Sequence, residues 1–286
     1  MPYARVSQEG YLKMKVSCLP VSLFSDINSG KMSFEEWVAS APGLGLDGVD
    51  VSMMFLKNHT ATYIKETREM LEKHGVPVVM STTYPDFTHP DRLQRDRELI
   101  YFEHDLALCS QLGVKYLRVL AGQAHPETGI KDGIRWAIDG IRRSADIADK
   151  FGIMMLYEDH SKPGAWEYVD FSYPPEIFLE IMDGVWDTSV RVNFDTGNIG
   201  AYGEDAVEVL KKVLPKVETV HVSDMAEHGK FAPVLIGTGA TPIKECFSVL
   251  KKDGWDKWLC IEEASFDGLD GIKRAVENTR KLWEEA

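Results

Sequence analysis

Three acidic residues and one histidine fall at or beside the ends of short apolar runs in the second half of the chain. Glu158 ends "GIMMLYE", Asp195 ends "VRVNFD", His221 lies in "VETVHVS" and Glu262 ends "WLCIE". A single carboxylate at such a position is usually a helix cap or a solvated loop residue. A single histidine within a strand is usually a hydrogen-bonded core residue. Four in succession indicate a metal site, because neighbouring carboxylates repel one another and a divalent cation neutralises them. An ionised Asp195 at the tip of a buried strand is costly without such a partner, so it is interpreted as a metal ligand.

The elements that position these residues follow a repeated pattern, in which an amphipathic segment ends in Gly and a short apolar run follows. Glycine accepts the left-handed backbone that closes a helix, and the apolar runs have the length and composition of buried parallel strands. The pattern and three further runs predict eight strands, within 13–20, 44–52, 73–81, 111–120, 150–158, 188–195, 216–224 and 252–262. Helices are predicted at roughly 33–44, 60–74, 91–112, 132–150, 174–183, 204–213, 241–252 and 269–284.

This alternation of eight strands and eight helices predicts an α/β protein, a (β/α)8 TIM barrel that forms a single domain over residues 1–286. A doubly wound open sheet is the alternative. The nucleotide-binding folds lose support because neither the Rossmann fingerprint nor a G-x-x-x-x-G-K-[ST] loop occurs. In a TIM barrel the chemistry lies at the carboxyl ends of the strands, where the four metal-compatible side chains are expected to meet.

The composition is that of an ordinary globular protein, with 44% hydrophobic and 27% charged residues. The net charge of −13 argues against nucleic acid or an anionic membrane as a partner, since both require a basic patch. No apolar run is long enough to span a bilayer, and the N-terminus lacks the apolar core of a signal peptide, so a cytoplasmic location is expected. The four scattered cysteines contain no CxxC pair, which argues against a disulfide framework or a zinc finger.

The chain resembles the xylose isomerase-like TIM barrels, the sugar phosphate isomerase/epimerase group that includes tagatose and psicose 3-epimerases, inosose isomerases and endonuclease IV. The resemblance covers nearly the whole chain and is carried by "LGLDGVDVS", "LGVKYLRVLAG", "LYEDH", "NFDTGN", "VHVSD" and "LCIEE". It implies that one divalent metal is held by Glu158, Asp195, His221 and Glu262. Such a ligand set suits Mn²⁺ best, with Mg²⁺, Co²⁺ or Zn²⁺ as alternatives. The resemblance also implies that Glu158 and Glu262 are catalytic: one abstracts the proton α to a carbonyl, and the other returns it on the opposite face.

Departures from the family pattern narrow the function. Relatives of endonuclease IV have a His where this chain has Asn198, and an Asp-x-His that "VSDMAEHGKFAPVLIG" lacks, so ligands for additional zinc ions are missing. This argues against DNA repair. The ketose 3-epimerases also have a His at the position of Asn198, and an Arg where Glu227 stands here. A free ketohexose is therefore disfavoured, whereas inososes and oxidised sugars stay open.

Further side chains near the predicted strand ends are candidates for substrate binding: His160, Asn198, Arg118 and His228. For Arg118, a structural ion pair is the alternative. Trp166 and Phe171, after the fifth strand, are expected to form either an apolar lid or a packed surface loop. Tyr84, after the third strand, is interpreted as a solvated residue. Glu263 is expected to point away from the barrel mouth if Glu262 points in.

The sequence therefore predicts a divalent-metal-dependent isomerase or epimerase that moves a proton next to the carbonyl of a keto-sugar or an inosose-like cyclitol. A lyase or dehydratase with the same enolate chemistry on 3-keto sugars, glycosides or inososes is the first alternative. A non-catalytic sugar-binding or partner subunit is the second. The expected partner is a small carbohydrate or cyclitol, and a homo-oligomer is compatible with the sequence.

Overall fold

Eight parallel strands form the centre of the molecule. The computed structural model describes residues 14–286, so the first residue of the predicted opening strand, Lys13, lies outside the described residues. The strands are β1 (Lys15–Leu19), β2 (Val49–Ser52), β3 (Val78–Thr82), β4 (Tyr116–Val119), β5 (Met154–Glu158), β6 (Arg191–Asp195), β7 (Val217–Val222) and β8 (Trp258–Glu262). From β2 to β8 each strand pairs in parallel with the next, and β1 pairs with β8. The sheet thus forms a nearly closed barrel with β1 and β2 at its two edges, and the predicted TIM barrel is confirmed in place of the open sheet.

Ten α-helices surround this barrel in the described part of the chain. They are α1 (Phe24–Ser29), α2 (Phe34–Ser40), α3 (Ala61–His74), α4 (Arg92–Leu112), α5 (Ile130–Phe151), α6 (Pro175–Gly184), α7 (Asn198–Tyr202), α8 (Ala206–Val213), α9 (Ile243–Lys252) and α10 (Gly268–Glu285). Eight of them lie where the sequence predicts helices. The sequence does not predict the short helices α1 and α7, because segments of six and five residues are too short to show a helical periodicity. Within residues 14–286, none of the helices has the length and apolar character that crossing a membrane requires.

Glycine residues end several helices just before the next strand, as the sequence pattern predicts. Gly113 ends α4 with a φ of 76°, and its N–H donates to the carbonyl of Cys109. Gly152 ends α5 with a φ of 67° and donates to the carbonyl of Ala148 in the same way. Because glycine adopts this left-handed conformation without strain, the chain leaves each helix at a defined angle and enters the next strand.

The interior of the barrel changes from apolar to polar towards the candidate site. Met80, Leu156 and Cys260 belong to a small apolar cluster that is separate from the large core between sheet and helices. Beside it, the hydroxyl of Thr219 donates to Asn193 Oδ1 over 2.6 Å. The amide nitrogen of Asn193 in turn donates to a carboxylate oxygen of Glu158 over 2.8 Å. A buried hydrogen-bonded chain therefore orients the last side chain of β5.

Candidate active site

The four metal-compatible side chains converge at the carboxyl ends of adjacent strands. Glu158, Asp195 and Glu262 are the last residues of β5, β6 and β8, and His221 is the penultimate residue of β7. One ligand atom of each lies within 4.8 Å of those of the other three. Three carboxylates and an imidazole at this spacing can hold a divalent cation.

The two carboxylate oxygens of Asp195 lie in different environments. Oδ1 accepts hydrogen bonds from the hydroxyl of Ser223 (2.7 Å) and the N–H groups of Gly197 (2.8 Å) and Asn198 (2.9 Å). Oδ2 is buried and has no hydrogen-bond partner. A buried oxygen without a partner is costly, and a cation at the cluster would compensate it. The donor set therefore fits a metal ion, and the Thr-Gly-Asn that follows Asp195 serves to aim its side chain.

Glu158 and His221 form a buried ion pair within the cluster. Glu158 Oε1 contacts His221 Nδ1, and Oε2 lies 2.9 Å from Nε of the buried Arg118. Burial would raise the pKa of Glu158, but the charges of His221 and Arg118 outweigh it and lower the pKa to about 2. Burial would lower the pKa of His221, but the neighbouring carboxylates raise it to about 9. Without a cation, the imidazole therefore carries a proton that offsets part of the acidic charge.

A cavity of about 560 Å³ opens onto the cluster. The polar residues that line it include Tyr84, Arg118, His160, Asn198 and Glu262. Among the four predicted ligands, Glu262 lines this cavity and is the one that is not fully buried. Three of the four predicted substrate-binding residues thus face the space next to the cluster.

The fourth predicted substrate-binding residue, His228, lies elsewhere. It is exposed on the loop after β7 and is not among the residues that line this cavity. Its ring lies beside Gly200, where a Cβ would be 3.8 Å from His228 Nδ1. The loop after β7 thus places this imidazole over α7 instead of over the barrel mouth, which sequence spacing could not reveal.

His160 and Asn198, which both line the cavity, differ in their hydrogen bonds to the rest of the protein. His160 is buried, its Nδ1 has no hydrogen-bond partner, and burial lowers its pKa to about 4. It is therefore a neutral imidazole at pH 7, suited to hydrogen bonding with a hydroxyl group. The side-chain amide of Asn198 donates to the carbonyl of Asp159 over 3.1 Å, so this residue also ties α7 to the end of β5.

Tyr84 lines this cavity, although the sequence suggests a solvated residue. Its hydroxyl hydrogen-bonds with Thr82 (3.1 Å) and Ser52 (3.4 Å), and its ring lies 5.1 Å from the guanidinium of Arg118. The available signal was its position two residues after β3, on the same face as Thr82. Tyr84 thereby supports the Arg118 side chain that pairs with Glu158.

The long segment after β5 is a packed loop, as one of the two alternatives predicts. Trp166 and Phe171 do not line the cavity. Trp166 and Phe171 are buried, and Phe171 lies against Gly133 of α5. Residues 161–165 line the cavity in their place. Glu263 is buried and its Oε1 accepts from the N–H of Ser265 over 2.7 Å, so it points away from the cavity as expected.

Comparison with known proteins agrees with this geometry. Residues 38–282 match the family model for xylose isomerase-like TIM barrels. The inosose dehydratase of Clostridium botulinum (strain Alaska E43 / Type E3) is 21% identical over 305 aligned positions, which cover 96% of this chain and 98% of that protein.

Two solved structures share the fold. The IolI protein with a bound zinc atom superimposes with a TM-score of 0.76 at 19% identity, over 95% of this chain and 99% of that one. A D-tagatose 3-epimerase-like protein gives a TM-score of 0.77 at 17% identity, over 95% of this chain and 98% of that one. Because the family model spans most of the sequence, the chain belongs to the xylose isomerase-like TIM barrel family, as its strand-end motifs suggested.

Proposed function

We propose that this protein is a divalent-metal-dependent enzyme that removes a proton next to the carbonyl of a keto-cyclitol or keto-sugar and eliminates water from it. The observation that carries the proposal is the convergence of Glu158, Asp195, His221 and Glu262. Within this cluster, Asp195 Oδ2 and His221 Nε2 are buried and have no hydrogen-bond partner. These four residues would hold the ion. The mixed oxygen and imidazole donors favour Mn²⁺, and the zinc in the IolI structure makes Zn²⁺ the first alternative to test.

The exposure of the two glutamates supports elimination over two-base epimerisation. Glu262 lines the cavity, whereas Glu158 is fully buried and bound by Asn193 and Arg118. When bound, the metal would polarise the carbonyl oxygen and stabilise the enolate charge. Glu262 then accepts the α-proton and delivers it to the hydroxyl on the β carbon. One C–H and one C–O bond break, one C=C bond forms, and water leaves.

The relatives also favour dehydration over the isomerisation that the sequence suggested first. The curated relative that aligns over 96% of this chain is an inosose dehydratase. Epimerisation is the second candidate, because a structural neighbour is a D-tagatose 3-epimerase-like protein and the cluster contains two glutamates. In that case Glu158 would return the proton on the opposite face of the substrate.

One experiment separates these reactions. Metal-loaded protein is incubated with an inosose and, separately, with a free keto-sugar in deuterated water, and the products are identified by mass spectrometry. An unsaturated product lighter by one water supports the dehydratase, and a deuterated isomer of unchanged composition supports the epimerase. Metal binding without turnover of either substrate would contradict both and leave the non-catalytic subunit.

A further inference from the structure

A hydrogen-bonded network outside the cavity joins the loops that follow β3, β4 and β5. Its centre is the buried carboxylate of Asp86, in the loop after β3. Oδ1 lies 3.0 Å from the backbone nitrogen of Gln123, and Oδ2 lies 3.0 Å from Gln123 Nε2 and 2.7 Å from His125 Nε2. Because hydrogen bonds to a carboxylate are strong, the loop after β4 is fixed to the loop after β3.

Gln123 connects this carboxylate to the loop after β5. Its Oε1 accepts hydrogen bonds from the N–H groups of Glu167 (2.9 Å) and Tyr168 (3.1 Å). The backbones of Gln123 and Asp170 also form an antiparallel bridge, which supports the side-chain contact. The amide of Gln123 therefore holds the loop after β5 with its oxygen and is itself held by Asp86 through its nitrogen.

The segment that this amide holds is continuous with the wall of the cavity. Residues 161–165 line the cavity, and the N–H of Asp170 donates to the carbonyl of Ser161 over 2.6 Å. The two ends of the loop are thereby joined, so a displacement of one end shifts the lining residues as well. Asp86 and Gln123 do not line the cavity themselves. Their effect on a substrate is therefore exerted through this loop.

We propose that Asp86 and Gln123 are positioning residues, which fix the loop after β5 as the wall against which the substrate binds at the metal cluster. This inference rests on the proposed function, because it assigns the wall to the site that Glu262 lines. The cluster is held separately, since its side chains lie on strands and are oriented by residues such as Asn193 and Ser223. Releasing the loop should therefore weaken substrate binding and leave the metal in place.

The test reverses the polarity of the hydrogen bond between the two side chains. In Asp86→Asn, an amide nitrogen replaces an oxygen that accepts from Gln123, so two donors face each other. In Gln123→Glu, two carboxylates face each other, while the new side chain keeps the oxygen that accepts from the loop. The double variant pairs the asparagine amide with the glutamate carboxylate, so a donor again faces an acceptor. Gln111→Glu is the matched control, since Gln111 is exposed on α4 and its amide donates to the carbonyl of Ala107 in the same helix.

Hydrogen–deuterium exchange measured by mass spectrometry reports on the loop, and steady-state kinetics of the metal-loaded protein with an inosose report on the substrate. In each single variant we expect the amides of 161–168 to exchange about tenfold faster or more, since a hydrogen bond to a charged group contributes about that factor. KM for the inosose should rise by about three- to tenfold, whereas kcat and metal content should stay within about twofold, because the lost contacts bind substrate and transition state alike. The double variant should recover most of both losses, and Gln111→Glu should match the unchanged protein.

The outcomes separate this inference from the proposed function. Unchanged exchange in both single variants, or faster exchange with an unchanged KM, would overturn the positioning role while leaving the elimination intact. A double variant as impaired as the single variants would indicate a general loss of packing and would also overturn it. If no inosose turns over, the proposed function fails, and calorimetric binding of myo-inositol to the metal-loaded protein replaces KM. Binding that weakens in the single variants and recovers in the double variant then supports the positioning role, and equal affinities or no binding reject it.

Discussion

Asp195 illustrates how a single side chain is prepared for a cation. Its Oδ1 is saturated by three hydrogen bonds from Ser223, Gly197 and Asn198, so its Oδ2 faces the cluster alone. Burial and the repulsion by Glu262 and Glu158 raise its pKa well above the usual range. A bound divalent ion would offset that repulsion and favour the ionised form of Asp195.

At this scale the first prediction concerns metal content. The purified protein should contain about one divalent ion per chain, and Asp195→Ala and His221→Ala should each lose most of it, because a missing ligand leaves coordination incomplete. Elemental analysis after dialysis measures the occupancy. Glu263→Gln is the matched control, since its side chain points away from the cavity and should keep the ion. Full occupancy in both Asp195→Ala and His221→Ala would contradict the assignment.

The second prediction concerns the two glutamates. Glu262→Gln keeps one ligand oxygen but removes the base, so turnover should fall by about 10²–10⁴-fold, while the metal largely remains. It should also stop exchange of the α-proton in deuterated water, measured by NMR of the recovered substrate. Glu263→Gln should exchange at the normal rate. If Glu158→Gln stops exchange and Glu262→Gln does not, the roles of the two carboxylates are reversed.

Among the elements, α5 packs closely against two loops that follow strands, through Gly133 and Gly140. A Cβ on Gly140 would lie 2.6 Å from the ring of Phe87, and one on Gly133 would lie 2.2 Å from the ring of Phe171. Both rings belong to loops that follow strands, after β3 and after β5. Glycines on α5 therefore allow these loops to pack against the helix and close the core beneath the site.

The third prediction follows from this packing. Gly140→Ala should lower the free energy of unfolding by about 1–3 kcal/mol, because the ring of Phe87 must move. This occurs although alanine by itself favours a helix by about 1 kcal/mol. Gly129→Ala, just before α5, is the control, since no atom lies within 4 Å of the added Cβ. Denaturant unfolding compares the two, and equal stabilities would show that the loop adjusts freely.

The fourth prediction concerns the strained segment after β8, where Phe266 has a positive φ of 61°. Phe266→Asn should increase the free energy of unfolding by up to about 1 kcal/mol, because asparagine tolerates the left-handed conformation. Little packing is lost, since Phe266 is 72% exposed. A loss of more than about 1 kcal/mol in denaturant unfolding would mean that the Phe266 side chain contributes to stability.

For the molecule as a whole, the cluster links four strands through charges that repel one another. β5 to β8 each contribute one of its side chains, and three of the four are acidic. The chain also carries a net charge of −13. An ion bound at the cluster would therefore stabilise the barrel itself as well as the substrate's enolate.

The fifth prediction is a metal-dependent melting temperature. At a free-ion concentration about 100 times Kd, binding to the folded state adds about 2.7 kcal/mol to the free energy of unfolding. For a chain of this size, that corresponds to a rise in Tm of roughly 5–10 °C, measured by calorimetry with Mn²⁺ and with chelator. Asp195→Ala should show no such rise. An equal rise in this variant would place the stabilising ion elsewhere.

Local sequence determined the framework of this protein. The eight strands and eight of the helices were predictable because hydrophobic periodicity and the glycines after helices act within a few residues. The cluster was predictable for the same reason: Glu158, Asp195, His221 and Glu262 lie at or next to the ends of strands, and parallel strands in a barrel bring those ends together.

Only the tertiary structure decided which loop residues surround the cluster. The sequence suggests His228 as a substrate-binding residue and Trp166 as part of a lid, but neither lines the cavity. Tyr84 and Phe266 do line it. Loops have no periodicity, and their conformation depends on packing against elements that are distant in the sequence, such as Phe266 on Ser22. The apolar residues that line the cavity therefore come from segments that no local pattern connects.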